Sequence, residues 1–157
     1  MHQPSRRSVI KALSIAAFSA NAIEDLRAAT PYPPMQVFLS PTCGCCKAWV
    51  THVEKAGFAA SVTETRDLAG RKRSAGVPEL LRSCHTGIID GYFIEGHVPA
   101  SDIVRLLREK PLAFGLAVPD MPVGSPGMEV DGVKPDAFET LLVLADGKTQ
   151  VWTKHGG

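Results

Sequence analysis

The stretch Ser40-Pro41-Thr42-Cys43-Gly44-Cys45-Cys46-Lys47-Ala48-Trp49 places three of the four cysteines of the chain within four positions. Upstream, Met35-Gln36-Val37-Phe38-Leu39 is short, mostly apolar and β-prone, which predicts a buried strand running into the cysteines. Downstream, Lys47 to Ala56 sets Trp49, Val50 and Val53 at helical spacing before Gly57, which predicts a helix ending there. The cysteines therefore sit where a strand hands over to a helix. Free backbone N–H groups and the positive end of the helix dipole favour thiolate at such a place. A thiolate is both a nucleophile and a soft metal ligand, so two chemistries are open.

Working outward, Phe58 to Arg66 alternates as a second strand with Val62 inward, and strand, helix, strand implies a parallel crossover. Asp67 to Gly76 reads as a short charged helix whose Arg71-Lys72-Arg73 run forms a solvated face. Gly87-Ile88-Ile89 and Tyr92-Phe93-Ile94 flank Asp90-Gly91, a strong hairpin signal. Ala100 to Lys110 predicts a helix with Ile103, Leu106 and Leu107 on one face, Ser101 as N-cap and Pro111 as stop. From Gly115 to Val133, Pro119, Pro122, Pro126 and four glycines predict an irregular loop that carries Met121 and Met128. Thr140 to Ala145 and Thr149 to Thr153 flank Asp146-Gly147-Lys148 as a second hairpin. This order predicts an α/β fold: a thioredoxin-like mixed sheet with flanking helices, a Pro/Gly/Met-containing loop and an added C-terminal β-hairpin.

At 157 residues and 45% hydrophobic content the chain suits one core domain, placed at 35–157. Residues 1–22 read as a twin-arginine signal peptide: Arg6-Arg7 and Lys11, then the modestly apolar Ala12 to Phe18, then Ala20-Asn21-Ala22. Residues 23–34 read as a linker. The apolar run is too short for a permanent membrane anchor. Cleavage after Ala22 removes three of the 17 basic residues and none of the 16 acidic ones, so acids then outnumber bases, which argues against a nucleic-acid partner. A periplasmic address permits disulfides, yet three cysteines in four positions cannot all bridge one another, so a purely structural disulfide framework is disfavoured.

In a thioredoxin-like sheet the first strand is antiparallel to the one at Gly87–Ile89, so Ser83-Cys84-His85-Thr86 begins at the pole where the cysteine motif lies. The hairpin returns Gly96-His97-Val98-Pro99 to that same pole. Cys43, Cys45, Cys46, Cys84, His85 and His97 thus converge as candidate metal ligands, with Met121 and Met128 from the loop as further candidates. His52, read as exposed on its helix, and His155, read as part of a frayed tail, stay outside the site, and Trp49 reads as core. Thiolate with thioether selects Cu(I), and thiolate with imidazole suits zinc or copper. An iron–sulfur cluster matches no standard spacing here.

Together these motifs, extended by Gly115-Leu116-Ala117-Val118-Pro119, Met121-Pro122 and Gly124-Ser125-Pro126-Gly127-Met128-Glu129, closely resemble the CopG-like periplasmic copper-resistance family, a thioredoxin-like family long catalogued as a domain of unknown function. The resemblance covers nearly all of the chain from Met35. It implies copper held in a cysteine-bridged cluster by the ligands named above, interconversion of Cu(I) and Cu(II), and other periplasmic copper-handling proteins as partners. One departure is Asp120, which stands where the family pattern has a glycine before Met-Pro.

Two rivals remain open at the level of sequence. Cys43-Gly44-Cys45-Cys46 contains a Cys-x-x-Cys between its outer cysteines, which suits a thiol–disulfide oxidoreductase of the thioredoxin superfamily. A copper chaperone without redox turnover fits the same residues, so whether the chain is an enzyme, as a copper oxidoreductase, stays undecided. For export, replacing Arg6 and Arg7 together by lysine is expected to strand the unprocessed chain in the cytoplasm. Cell fractionation checks this, and normal accumulation of processed variant outside the cytoplasm would refute it.

Overall fold

Alternation along Met35–Leu39 sends Met35, Val37 and Leu39 to one face of a central strand, where all three are fully buried, and Phe38 to the other. The structure, a computed structural model, describes residues 31–156. The expected signal peptide at 1–22 and most of the expected linker at 23–34 lie outside the described residues. At the linker's end, Tyr32 stacks on Phe58 with ring centroids 4.4 Å apart, so this part packs on the domain.

In chain order the elements are β1 (Met35–Leu39), α1 (Gly44–Lys55), β2 (Ala60–Glu64), α2 (Leu68–Ser74), a 3-10 turn (Glu79–Leu81), β3 (His85–Ile89), β4 (Tyr92–Glu95), α3 (Ala100–Glu109), β5 (Ala113–Ala117), β6 (Phe138–Leu144) and β7 (Thr149–His155). They form one seven-stranded sheet ordered β2-β1-β3-β4-β5-β6-β7. β1 is parallel to β2 and antiparallel to β3, and β3 pairs antiparallel with β4. This is the expected thioredoxin-like arrangement, widened by β5 and the C-terminal hairpin. Trp49 and Val53 of α1 and Ile103 and Leu106 of α3 pack with Met35, Val37, Leu39, Ile94 and Leu116 as the main core. Val77, Phe93, Ala117 and Val143 form a smaller cluster. No helix among the described residues is long and apolar enough to cross a membrane.

Several local readings change. α1 starts at Gly44, so Cys45 and Cys46 lie in its first turn and Cys43 is its N-cap residue. Val62 shares the helix-covered side with its register partner Val37 but is 45% exposed, because β2 is an edge strand with a neighbour on one side only. The first residues of the expected 115–133 loop belong to β5, which runs parallel to β4. Gly115 explains the misreading: its missing Cβ would collide with the Phe93 backbone, so this glycine permits close strand approach and is no loop signal. α3 is capped by Pro99 and not by Ser101. His155, expected in a frayed tail, ends β7: its Nε2 lies 2.8 Å from Asp102 Oδ2 and its ring stacks on Phe138. Asp102 is buried and also accepts from Thr140 Oγ1 at 2.6 Å and Thr153 Oγ1 at 2.9 Å, which latches the hairpin onto α3.

The basic run at residues 71–73 is the largest departure from a solvated face. Arg71 lies over the Phe38 ring at 5.0 Å, and Lys72 is only 4% exposed. Lys72 Nζ donates to Glu95 Oε1 at 2.5 Å and to Thr86 Oγ1 at 3.0 Å, beneath a fully buried Glu95. Glu95 also accepts from Ser83 N at 2.6 Å and from Thr86 Oγ1 at 2.7 Å. Removing one partner leaves a buried charge uncompensated, so Lys72→Met is expected to destabilise the fold by about 3–5 kcal/mol. Chemical denaturation measures this, and a loss below about 1 kcal/mol would mean the pair behaves as a surface pair.

Candidate metal centre

The β1–β3 ladder sets Leu39 opposite His85, so the residues just beyond β1 and just before β3 meet at one end of the sheet. Beyond β1 come Cys43, in extended conformation at the start of α1, and then Cys45 and Cys46. Before β3 comes Cys84. β4 returns to the same end through Glu95, and Gly96 then turns the chain with φ +70° to present His97. A Cβ on Gly96 would run into Val118 O and the Ser83 side chain, so this tight turn requires glycine.

All six Cys and His residues expected from sequence are brought together. The sulfurs of Cys43, Cys45, Cys46 and Cys84 lie within 4.8 Å of one another, as do the ligand atoms of Cys84, His85 and His97, so Cys84 belongs to both groups. Cys84 Sγ lies 3.0 Å from His97 Nε2 and 3.2 Å from His85 Nδ1. Cys43 and Cys46 form a disulfide, while Cys45 and Cys84 are free thiols. Cys43 Sγ is 3.5 Å from Cys45 Sγ, and Cys46 Sγ is 3.6 Å from the Cys84 carbonyl oxygen.

Burial, and then the neighbouring Cys45, push the Cys84 thiol up to about 11. It is protonated at neutral pH until a cation takes the proton's place, which is how metal binding couples to proton release. His97 is fully buried, and its Nδ1 lies 2.8 Å from Pro126 O. A carbonyl only accepts, so Nδ1 carries the proton and the Nε2 lone pair faces Cys84. Fully buried His85 lies against Trp49, with ring centroids 4.3 Å apart, and its Nε2 has no hydrogen-bond partner. The ring nitrogen that faces the cluster is Nδ1, 3.2 Å from Cys84 Sγ, so a cation taking the place of the thiol proton would meet an imidazole nitrogen there. Neither donor group includes a carboxylate, so the set is soft, as Cu(I) and zinc prefer.

The loop after β5 carries the two methionines. Met121 is half exposed and lines an open hollow with Asp120, Asp136 and Glu139, while Met128 is partly buried. Asp120 has φ +61°, the left-handed region that glycine occupies freely. The residue at variance with the family pattern thus adopts the conformation that a glycine there would favour, and its carbonyl accepts from Ser83 Oγ at 2.6 Å. Two further residues bear on the site although the sequence reading set them aside. Trp49 is core, as expected, but its Nε1 also donates to Val98 O at 2.9 Å. His52 does not point into solvent: its Nε2 accepts from Ala100 N at 3.1 Å. Their i, i+3 spacing on α1 was the only sequence signal for this pairing.

With this geometry in place, two solved structures prove similar. One, named Copper resistance protein copG, Form 1, is 44% identical with a TM-score of 0.75, covering 80% of this chain and 99% of its own. The chain belongs to the CopG copper-resistance family. Form 2 matches at 44% identity and a TM-score of 0.75, covering 79% of this chain and 98% of its own. A family described as a protein of unknown function, DUF411, matches residues 81–128, the span from the 3-10 turn before Cys84 to Met128. No curated protein matches the chain. CopG membership and a cysteine-rich group able to hold metal together assign this chain to copper resistance.

Three histidines here, His52, His85 and His97, are held below the usual imidazole value of 6.5, in each case chiefly by burial. The folded chain keeps them neutral while the unfolded chain takes up protons, so their contribution is intact above that value and is lost as the pH falls through the folded values. The metal-free protein should therefore lose thermal stability between about pH 7 and pH 5. Thermal unfolding across that range checks the sign, and a rise in melting temperature on acidification would contradict it.

Proposed function

We propose that this chain is an exported, periplasmic CopG-family protein that binds copper as its cargo. Cys43, Cys45, Cys46 and Cys84 supply sulfur, His85 and His97 supply imidazole, and Met121 and Met128 add thioether from the loop. The observation that carries the reading is the sharing of Cys84 between the four-sulfur group and the two-histidine group. A sulfur within reach of both can bridge ions held on either side, which suits several copper ions better than one closed tetrahedral zinc. Other periplasmic copper-handling proteins are the proposed partners.

The Cys43–Cys46 disulfide supports a redox component. Two thiolates joining into a disulfide release two electrons, which balances the reduction of two Cu(II) to two Cu(I). The bond also removes two thiolates from the donor set, leaving Cys45, Cys84 and the imidazoles. A simple thiol–disulfide oxidoreductase would use the same dithiol, but it has no use for the His97–Cys84–His85 arrangement and would require neither Cys45 nor Cys84.

Cys45→Ser and Cys84→Ser are each expected to remove most bound copper from the reduced protein. His97→Ala should weaken binding by about 10- to 100-fold even if it acted only on a neighbouring ligand. Metal analysis and competition titration measure both effects. Copper content unchanged in both cysteine variants, alongside strong insulin disulfide reduction by the parent, would replace the copper reading with the oxidoreductase one.

A further inference from the structure

α3 opens at Ala100 behind Pro99, a capping residue with no side-chain oxygen to offer. Its first N–H must find an acceptor elsewhere, and α1 provides it: His52 Nε2 accepts from Ala100 N at 3.1 Å. One turn earlier on α1, Trp49 Nε1 donates to Val98 O at 2.9 Å. Residues three apart lie on one face of a helix, so a single face of α1 grips both Val98 and Ala100. His97 precedes this gripped segment directly.

The third tether on His97, from Nδ1 to Pro126 O, leads back to the same helix. Gly127 has φ +86°, and a Cβ there would stand 2.8 Å from both Cys45 O and Trp49 N. The loop therefore lies directly on the first turns of α1. Glu129 bonds the Gly127 N–H at 2.8 Å and lies close enough to His52 to favour its charged form. Besides its contacts with Cys84 and His85, the His97 imidazole is thus held through segments that lie on the helix carrying Cys45 and Cys46.

We infer that His52 is a positioning residue for His97. Through the Ala100 N–H it locks residues 97–100 to α1, so that one rigid helix sets both the thiolates and the imidazole that faces them. This rests on the copper reading for its consequence, though not for its geometry. His52 is not itself a ligand, because accepting the Ala100 N–H occupies the Nε2 lone pair and leaves the ring proton on Nδ1. Positioning groups of this kind affect metal affinity without touching the metal.

The test compares His52→Ala, His52→Gln and Thr51→Ala, an exposed neighbour on the same helix, with the parent. Gln is the conservative variant, since its side-chain oxygen can accept the same N–H. In the metal-free chain, His52→Ala should speed exchange of the Ala100 amide and shift the His97 ring nitrogen signals in NMR spectra. The same variant should weaken Cu(I) binding by about 10- to 100-fold in competition titrations. His52→Gln should bring the amide, the ring signals and the affinity back toward the parent, and Thr51→Ala should leave all three in place. Should His52→Ala fail to fold, His52→Gln against the shorter His52→Asn carries the comparison. The inference is overturned if His97 signals and affinity in His52→Ala equal those of the parent. It is also overturned if His52→Gln loses copper as fully as His52→Ala while His97 signals stay native, which would make His52 a ligand. A parent that binds no copper, together with the expected NMR changes in metal-free His52→Ala, would sink the function proposed above and leave the positioning role standing.

Discussion

The pairing of Leu39 with His85 across β1 and β3 is the constraint on which the rest of the molecule depends. Side chains alternate faces along a strand, so a slip of one residue would exchange every environment on β3. In the observed register His85 points to the α1 side, against Trp49 and toward Cys84. Thr86 points to the opposite side, where it meets Glu95 and Lys72. One strand therefore serves two buried polar systems at once, a soft donor group on one face and an ion pair on the other.

These two systems are linked through Ser83. Glu95 takes the Ser83 N–H in the same carboxylate that pairs with Lys72, and Ser83 Oγ donates to the Asp120 carbonyl. The residue before Cys84 is thus held by the sheet on one side and by the long loop on the other. Burying a charged pair seldom raises net stability compared with an apolar pair of the same shape, so its value here is geometric. It allows a strand end, normally the least constrained part of a sheet, to present a cysteine in one place. Among the described residues Arg82 Nε, His85 Nε2 and Trp152 Nε1 are buried side-chain atoms without a hydrogen-bond partner, and of these three residues His85 alone belongs to the group able to hold metal.

The disulfide and the free thiols divide the four sulfurs into two kinds. Cys43, the N-cap residue of α1, and Cys46, in its first turn, are joined as a disulfide. Cys45 and Cys84 come from different elements and stay free. Bridged and free sulfur thus adjoin at one end of the sheet, beside the imidazoles of His85 and His97.

The sequence by itself determined the local chemistry: the cysteines at a strand-to-helix junction, the Asp90-Gly91 hairpin, the apolar face of α3, and through them the thioredoxin-like order that makes six Cys and His residues converge. Such features depend on residues close together in the chain, and spacing reveals them. Tertiary structure alone decided the rest. Lys72 reads as one charge in a basic run, and only the arrival of Glu95 from β4 makes its burial possible. Gly115 reads as a loop residue until Phe93 is laid beside it. His155 looks like a tail until Asp102 of α3 receives it, and His52 looks exposed until α3 starts next to it with an unmet N–H. In each case the deciding partner lies distant in sequence. A polar side chain's role depends on where its partner stands in space, and no local pattern encodes that position.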